Sequence, residues 1–137
     1  AFRQRGFDFK MERLDDGYWR FHNHQHGAAP SFDFMPQPAN EILLEEKCEY
    51  LQTSDESPFV MAFVAQRLVE AGYEIQLGKI AKFVTPTGVE VRELASEDEF
   101  VERMGRVFGI YDSELHTLWP KICYQHETYF QPQAKTV

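Results

Sequence analysis

The residues best suited to chemistry lie in a short polar segment from Leu51 to Phe59, LQTSDESPF. It carries three hydroxyl side chains, those of Thr53, Ser54 and Ser57, and one aromatic ring, Phe59, directly after a proline. Hydroxyls and free backbone N–H groups in a loop can hold a phosphate or a carbonyl oxygen without any positive charge. A ring beside them can stack on a flat ligand. Taken alone, these residues favour an ordinary hydroxyl-stabilised turn over a ligand site.

Nucleophilic chemistry has one candidate pair, Cys123 and His126, three residues apart. A nucleophilic cysteine needs a base and a third group that orients that base. Nothing in the surrounding sequence supplies such a set, and Cys48 has no histidine near it in sequence. The pattern therefore favours both cysteines as small buried hydrophobic residues. Two isolated thiols are typical of a reducing compartment, so we expect a cytoplasmic protein.

Three histidines, His22, His24 and His26, stand in the run HNHQH. This spacing places the rings on one side only if the segment is a strand, and no carboxylate lies at an interval typical of a metal ligand set. The sequence therefore favours a solvated loop over a metal site, and we expect no metal.

Composition restricts the class of protein and its partners. The 137 residues are 43% hydrophobic and 26% charged, which is typical of one soluble globular unit. The net charge of -8 repels nucleic acid and anionic membranes, so we expect neither as a partner. No apolar run approaches the length of a membrane span. Aromatic residues make up 15% of the chain, which suggests a core or cleft built from rings.

The first third of the chain predicts a β-hairpin. Apolar and charged residues alternate from Phe7 to Met11, an Asp-Asp-Gly turn follows, and a second aromatic strand runs from Tyr18 to His22. A lone hairpin is marginally stable in water, so this one should pair with other strands. Residues 22–40 contain one glycine and three prolines and are expected to be irregular.

The middle of the chain predicts a helix and then a meander. Asn40 can cap a helix that ends near Leu51 and that we expect to pack on at least one broad apolar side. The apolar run from Phe59 to Leu68 is interpreted as the first of about four short antiparallel strands, which end at Leu94.

The end of the chain predicts further helix. Ser96 and Glu99 form a capping box for a closing helix that ends at Gly109, and one or two short helices are expected around Pro120. The last seven residues are predicted to be disordered. The predicted fold is α+β, with a hairpin or barrel remnant, a helix, a four-stranded meander and a closing helix. The predicted units are residues 1–38, 39–110 and 111–137.

Several of these segments together resemble the arylamine N-acetyltransferase family. The resemblance rests on LQTS…SPF, on Phe9-Lys10-Met11 followed by Gly17-Tyr18-Trp19, on the glycines of the meander, and on the run from Phe108 to Ile110. It covers about residues 5–110 and lies in what would be the C-terminal half of that family: the end of a β-barrel domain (residues 1–38) and an α/β lid domain (39–110).

The resemblance implies a function that this chain shares with residues outside it. In that family acetyl-CoA gives its acetyl group to a cysteine, and an arylamine or hydrazine then accepts it; roles include xenobiotic metabolism and amide formation in biosynthesis. The Cys-His-Asp triad precedes the matching hairpin, so no catalytic residue is expected here, and an N-terminal triad-bearing segment or subunit is the expected partner. By the same resemblance, Thr53, Ser54, Ser57 and Phe59 face CoA and the acceptor.

A second hypothesis needs no partner chain. The sequence is also compatible with a non-catalytic α+β binding module whose aromatic cleft takes a flat ligand or a peptide. Such a module would fold cooperatively by itself, whereas a piece of a larger enzyme would leave the opening hairpin as an exposed, unfinished barrel edge.

Overall fold

The structure is a computed structural model that describes residues 1–27 and 29–130; the predicted disorder at residues 131–137 lies outside the described residues. The described chain forms two four-stranded antiparallel sheets, with helices after each of them. Neither sheet closes into a barrel. The α+β prediction is therefore confirmed. In the described part of the chain, no helix is both long and apolar enough to cross a membrane.

The first sheet contains the predicted hairpin and two strands that the sequence did not predict. Its strands, in spatial and chain order, are β1 (Phe2–Gln4), β2 (Phe7–Arg13), β3 (Trp19–His22) and β4 (Ser31–Phe34). The expectation that residues 22–40 are irregular was wrong for β4. Phe32 and Phe34 alternate with polar residues there, and pairing with β3 fixes them as a strand.

The two faces of this sheet differ sharply in chemistry. One face carries a ladder of phenylalanine rings with centroid spacings of 5.5, 5.5, 5.0 and 6.1 Å, formed in order by Phe2, Phe9, Phe21, Phe32 and Phe34. The other face carries ion pairs, which include Arg3–Asp8, Arg20–Asp33 and His22–Glu12. Side chains alternate between faces along each strand, so the register separates rings from charges. Phe32 nevertheless remains 56% exposed.

A helical corner connects the sheets. Helix α1 (Glu41–Thr53) begins at Asn40, whose side-chain oxygen accepts from the backbone N–H groups of Ile42 and Leu43 at 3.1 and 3.3 Å, as predicted. The short helix α2 (Pro58–Met61) follows. The prediction of a strand from Phe59 was wrong over these residues because Ser57 and Pro58 provide a cap and a favourable first position for a helix.

The second sheet is the predicted meander. Its strands are β5 (Val64–Val69), β6 (Gly72–Leu77), β7 (Ile80–Thr85) and β8 (Gly88–Glu93), paired in that order. Gly72 starts β6 where the backbone of β7 approaches closely: a Cβ there would lie 2.0 Å from the carbonyl oxygen of Val84.

The remaining helices pack on one face of this second sheet. Helix α3 (Glu97–Arg103) begins at Ser96 as predicted, continues in a π-helical turn to Phe108, and ends at Gly109, whose φ of 73° is left-handed. Helix α4 (Leu115–Gln125) follows. The core between helices and sheet consists of buried apolar residues: Ala81, Leu94, Phe100, Met104, Leu115 and Ile122.

A buried polar network also fastens α3 to the sheet. Arg103 donates to the Gln76 side chain at 2.9 Å and to the Glu74 carboxylate at 2.8 Å. Gln76, which is fully buried, donates to the carbonyl of Gly78 at 2.7 Å. Because each buried polar group has a partner, the network orients α3 without leaving a desolvated charge.

Candidate functional site

The corner between α1 and α2 is shaped by Ser57, which is fully buried. Its hydroxyl donates to the carbonyl of Leu51 at 2.6 Å and accepts from the backbone N–H of Phe59 at 3.3 Å. It therefore satisfies the C-terminal end of α1 and the N-terminal end of α2 together. This hydroxyl points into the protein and already holds two partners, so it sets the direction of Phe59.

The other two predicted hydroxyls also bond locally. Thr53 donates to the carbonyl of Glu49 at 2.8 Å, one helical turn earlier. Ser54 accepts from the backbone N–H of Glu56 at 3.2 Å. Thr53 is exposed and Ser54 is half-buried, so both retain oxygen lone pairs for a further hydrogen bond. The three hydroxyls share one turn, but they do not converge on one point.

Phe59 lies on the wall of an open apolar groove of about 590 Å³ between α1 and α2. The ring is 68% exposed. The groove is lined by side chains from both helices: Leu44, Lys47, Cys48, Leu51 and Gln52 from α1, and Phe59 and Val60 from α2. Its size lies within the range of small-molecule sites, and apolar walls with few polar groups are typical of such sites.

The same ring also borders a second, smaller groove between α2 and α4. There Gln125 donates to the carbonyl of Val60 at 2.9 Å and so ties α2 to α4. Phe59 therefore lies where the two grooves meet, on a short helix held from both sides. The exposed ring therefore lies on a short helix that is hydrogen-bonded to α4 and, through Ser57, to the end of α1.

Two polar groups of the α1–α2 groove could orient a ligand. The Lys47 ammonium lies 4.2 Å from the centroid of the Tyr50 ring, a cation–π contact. Cys48 is exposed, so the prediction that it is buried was wrong, and its sulfur accepts from the Gln52 side-chain amide at 2.9 Å. An amide does not act as a general base, so this pair does not activate the thiol. The groove is thus suited to holding a flat apolar group, with an ammonium at its edge.

The second cysteine, Cys123, lies near the end of α4 and is half-buried. His126 is 4% exposed there, and its Nε2 lies 3.7 Å from the carboxylate of Glu93. The hydrogen bond from Lys79 holds the pKa of Glu93 below its ordinary value, so this carboxylate stays charged. The cluster ties the end of β8 to α4.

The HNHQH histidines take three separate roles. His22 bonds to the Glu12 carboxylate at 2.8 Å, while His24 packs among aromatic rings and His26 lies on the loop beside Gln25. Within residues 1–27 and 29–130, no group of three or more His, Cys, Asp or Glu side chains is placed to hold a metal ion.

The sequence predicted Phe59 as a site residue but did not predict that α1 forms the other wall of its groove. The signal was present, because Leu44, Cys48 and Leu51 recur at helical spacing and share a side of α1. The spacing alone does not show that α2 folds back against this side of α1.

No protein-family model and no curated protein sequence matches the chain. Solved structures do match. The arylamine N-acetyltransferase of Mycobacterium marinum, solved in complex with CoA, superposes on 88% of this chain with a TM-score of 0.75 and 14% identity. This chain has the fold of the C-terminal part of that arylamine N-acetyltransferase structure.

Further structures of this kind agree. The Mycobacterium smegmatis enzyme gives a TM-score of 0.74 at 17% identity over 88% of this chain, and the Salmonella typhimurium enzyme gives 0.70 at 10% identity over 94%. The chain spans less than half of these arylamine N-acetyltransferase chains, 45% of the first two and 48% of the third. The matched part is C-terminal in those structures, as the sequence resemblance predicted.

Proposed function

We propose that this chain forms one wall of the cleft in which an acetyl-CoA-dependent arylamine N-acetyltransferase binds CoA and its acceptor. The observation that carries the proposal is the apolar groove with the exposed Phe59 ring. It lies in a fold shared with a CoA-bound arylamine N-acetyltransferase. In this proposal residues 39–110 are the lid side of the cleft and residues 1–38 are barrel strands.

The chemistry of the proposed reaction is acetyl transfer in two steps. A cysteine thiolate attacks the thioester carbonyl of acetyl-CoA and CoA leaves as its thiol. The amine nitrogen of an arylamine or hydrazine then attacks the enzyme thioester, and the cysteine is released. A Cys-His-Asp triad supports such a cycle because the imidazole takes the thiol proton and the carboxylate orients the imidazole. We assign that triad to a separate N-terminal segment or subunit, so this chain alone is expected to be inactive.

Two surfaces support the need for such a partner. Every residue of α1 remains exposed or partly exposed, and Ile42, Leu43 and Leu44 are 68, 59 and 58% exposed. The expectation that α1 packs on a broad apolar side is therefore not met within the described residues. The phenylalanine ladder of the first sheet is the second surface, with Phe32 56% exposed. Contiguous exposed apolar surface typically marks an interface.

The individual roles follow from the geometry. Phe59 would stack on the acceptor ring or the flat part of CoA. Thr53 and Ser54, whose oxygens keep lone pairs, would contact polar groups of CoA. Ser57 would act indirectly, by fixing the direction of the ring. We place the reaction in the cytoplasm, where the exposed thiol of Cys48 would stay reduced; either xenobiotic metabolism or biosynthetic amide formation fits this chemistry.

The test compares Phe59→Ala with Tyr124→Ala, because the two rings are 68 and 67% exposed and only the first lines the groove. Acetyl transfer is measured with the chain mixed with a triad-bearing N-terminal part. Loss of one aromatic stacking contact, about 0.5–1.5 kcal/mol, should raise the KM for the amine about 2–12-fold. The urea midpoint should stay unchanged.

Two results would count against the proposal. Turnover by the chain alone with acetyl-CoA and an arylamine would show that no separate triad is required. Equal effects of Phe59→Ala and Tyr124→Ala on KM, or a loss of stability that accounts for the loss of activity, would return the groove to a structural role.

A further inference from the structure

The two sheets meet at a small aromatic joint that is separate from the α1–α2 groove. Buried Phe7 and Phe9 of β2 pack against Val84 of β7, with Tyr73 and Ile75 of β6 at their side. Arg5 adds one hydrogen bond across the joint, to the carbonyl of Val69 at 3.2 Å. Because few residues form this contact, a change in the charge of one of them can weaken it.

His24 completes this joint. Its ring centroid lies 4.3 Å from that of Phe7, 5.6 Å from that of Phe9 and 5.5 Å from that of Tyr73. It stacks on Tyr73 with an interplanar angle of 16°, so it joins β2 of one sheet to β6 of the other. Histidine is the side chain whose charge changes nearest to neutral pH.

The hydrogen bonding of His24 requires a neutral ring. Its Nδ1 accepts from the backbone N–H of His26 at 3.2 Å. A proton on Nδ1 would remove this acceptor, and the new Nδ1–H would then face the backbone N–H of His26. The same proton would place a charge on a half-buried ring among aromatic side chains, and the attraction of a cation to ring faces offsets only part of the cost of removing water from it.

The groups around His24 offer little to stabilise its charged form. From β2, the Asp8 carboxylate lines the same small cavity, but Arg3 binds it through two hydrogen bonds of 2.7 and 2.8 Å. From β6 the facing group is the Tyr73 phenol, and from its own loop it is the His26 imidazole. Burial first, and the charge of His26 second, hold the pKa of His24 below its ordinary value.

We propose that His24 makes the joint between the two sheets acid-sensitive, so that its protonation separates the Phe7 side from the Tyr73 side. The sign follows from linkage. The pKa of His24 is depressed in the closed joint, so the contact is fully stable above the ordinary histidine pKa of about 6.5. It weakens as the pH falls below that value towards the depressed pKa, because the open form binds the proton more tightly. Opening of the joint would change the position of the first sheet relative to the α1–α2 groove.

The experiment follows two ring pairs of nearly equal spacing by nuclear Overhauser contacts as the pH falls from about 7.5 to about 5. Phe7–Tyr73, at 5.1 Å, crosses the joint, whereas Phe63–Phe100, at 5.2 Å, lies in the helical core. The expected result is loss of the first contact and retention of the second. In His24→Gln, which keeps a side-chain acceptor but does not titrate, the first contact should persist at both pH values.

Two further variants keep the test decisive. His116→Gln removes a histidine of α4 that bonds to Glu97 of α3 and is not part of the joint, so it should behave like the unaltered chain. If His24→Gln opens the joint at every pH, His24→Phe restores a ring without a titrating group and should close it. Retention of Phe7–Tyr73 at pH 5 in the unaltered chain, or its loss on acidification in His24→Phe, would overturn the proposal.

Discussion

The buried hydroxyl of Ser57 gives the sharpest test of how the groove is built. Ser57→Ala removes one oxygen that caps α2 and also bonds to the carbonyl of Leu51. Loss of a serine N-cap costs about 1 kcal/mol. A desolvated carbonyl left without a donor adds about 1–3 kcal/mol. We therefore expect a loss of about 2–4 kcal/mol in the free energy of unfolding.

The assay is urea unfolding, followed in parallel by far-UV circular dichroism and tryptophan fluorescence. With a denaturant dependence of about 2 kcal/mol per M, the urea midpoint should fall by about 1–2 M while the slope stays constant. Ser54→Ala is the matched control because it removes a hydroxyl of the same turn whose single bond, to the N–H of Glu56, is less buried. Its effect should stay within about 0.5 kcal/mol.

The structural role of Ser57 is refuted if Ser57→Ala and Ser54→Ala shift the urea midpoint equally. It is also refuted if Ser57→Ala retains full stability but loses CoA binding in the assembled enzyme, since that pattern would make the hydroxyl a ligand contact. The structural role instead requires that stability and the position of Phe59 change together.

Two further predictions concern the second sheet and its helix. Gly72→Ala should destabilise the chain well beyond Gly88→Ala in thermal melting, because a Cβ at the first site meets a backbone carbonyl at 2.0 Å and the second site is open; equal melting temperatures would contradict this. The backbone N–H of Ala95, and then Arg92, hold the pKa of Glu99 below its ordinary value of 4.5. Glu99→Gln should therefore be less stable than the unaltered chain at neutral pH, and this difference should vanish as the pH falls below about 4.5 through the depressed pKa; a difference independent of pH would argue against it.

Much of the fold is decided by features that act over a few residues. Asn40 and Ser96 begin their helices and Gly109 ends one, because caps and a left-handed glycine satisfy backbone groups that no distant contact supplies. Alternation over residues 73–94 is enough to predict three of the four meander strands. The hairpin likewise follows from its turn and its aromatic alternation.

The two wrong secondary-structure predictions, a strand at α2 and an irregular segment at β4, also have a physical cause. A short apolar run such as Phe59–Leu68 fits a strand or a buried helix equally by periodicity. Its first part became α2 because Ser57 bonds back to Leu51, a contact that depends on how α1 ends. Strand β4 was missed because one glycine and three prolines around it suggest a loop, whereas pairing with β3 supplies its hydrogen bonds.

The segment from Leu51 to Phe59 shows where local sequence ends and tertiary structure begins. Sequence alone determined its residue types, which are three hydroxyls, a proline and a ring, and the helix before it. Tertiary structure decided which of them could meet a ligand, because Ser57 turned inward and Phe59 turned outward onto a groove whose other wall is α1. Hydrogen-bonding capacity belongs to a residue, but its direction and its exposure belong to the elements packed around it.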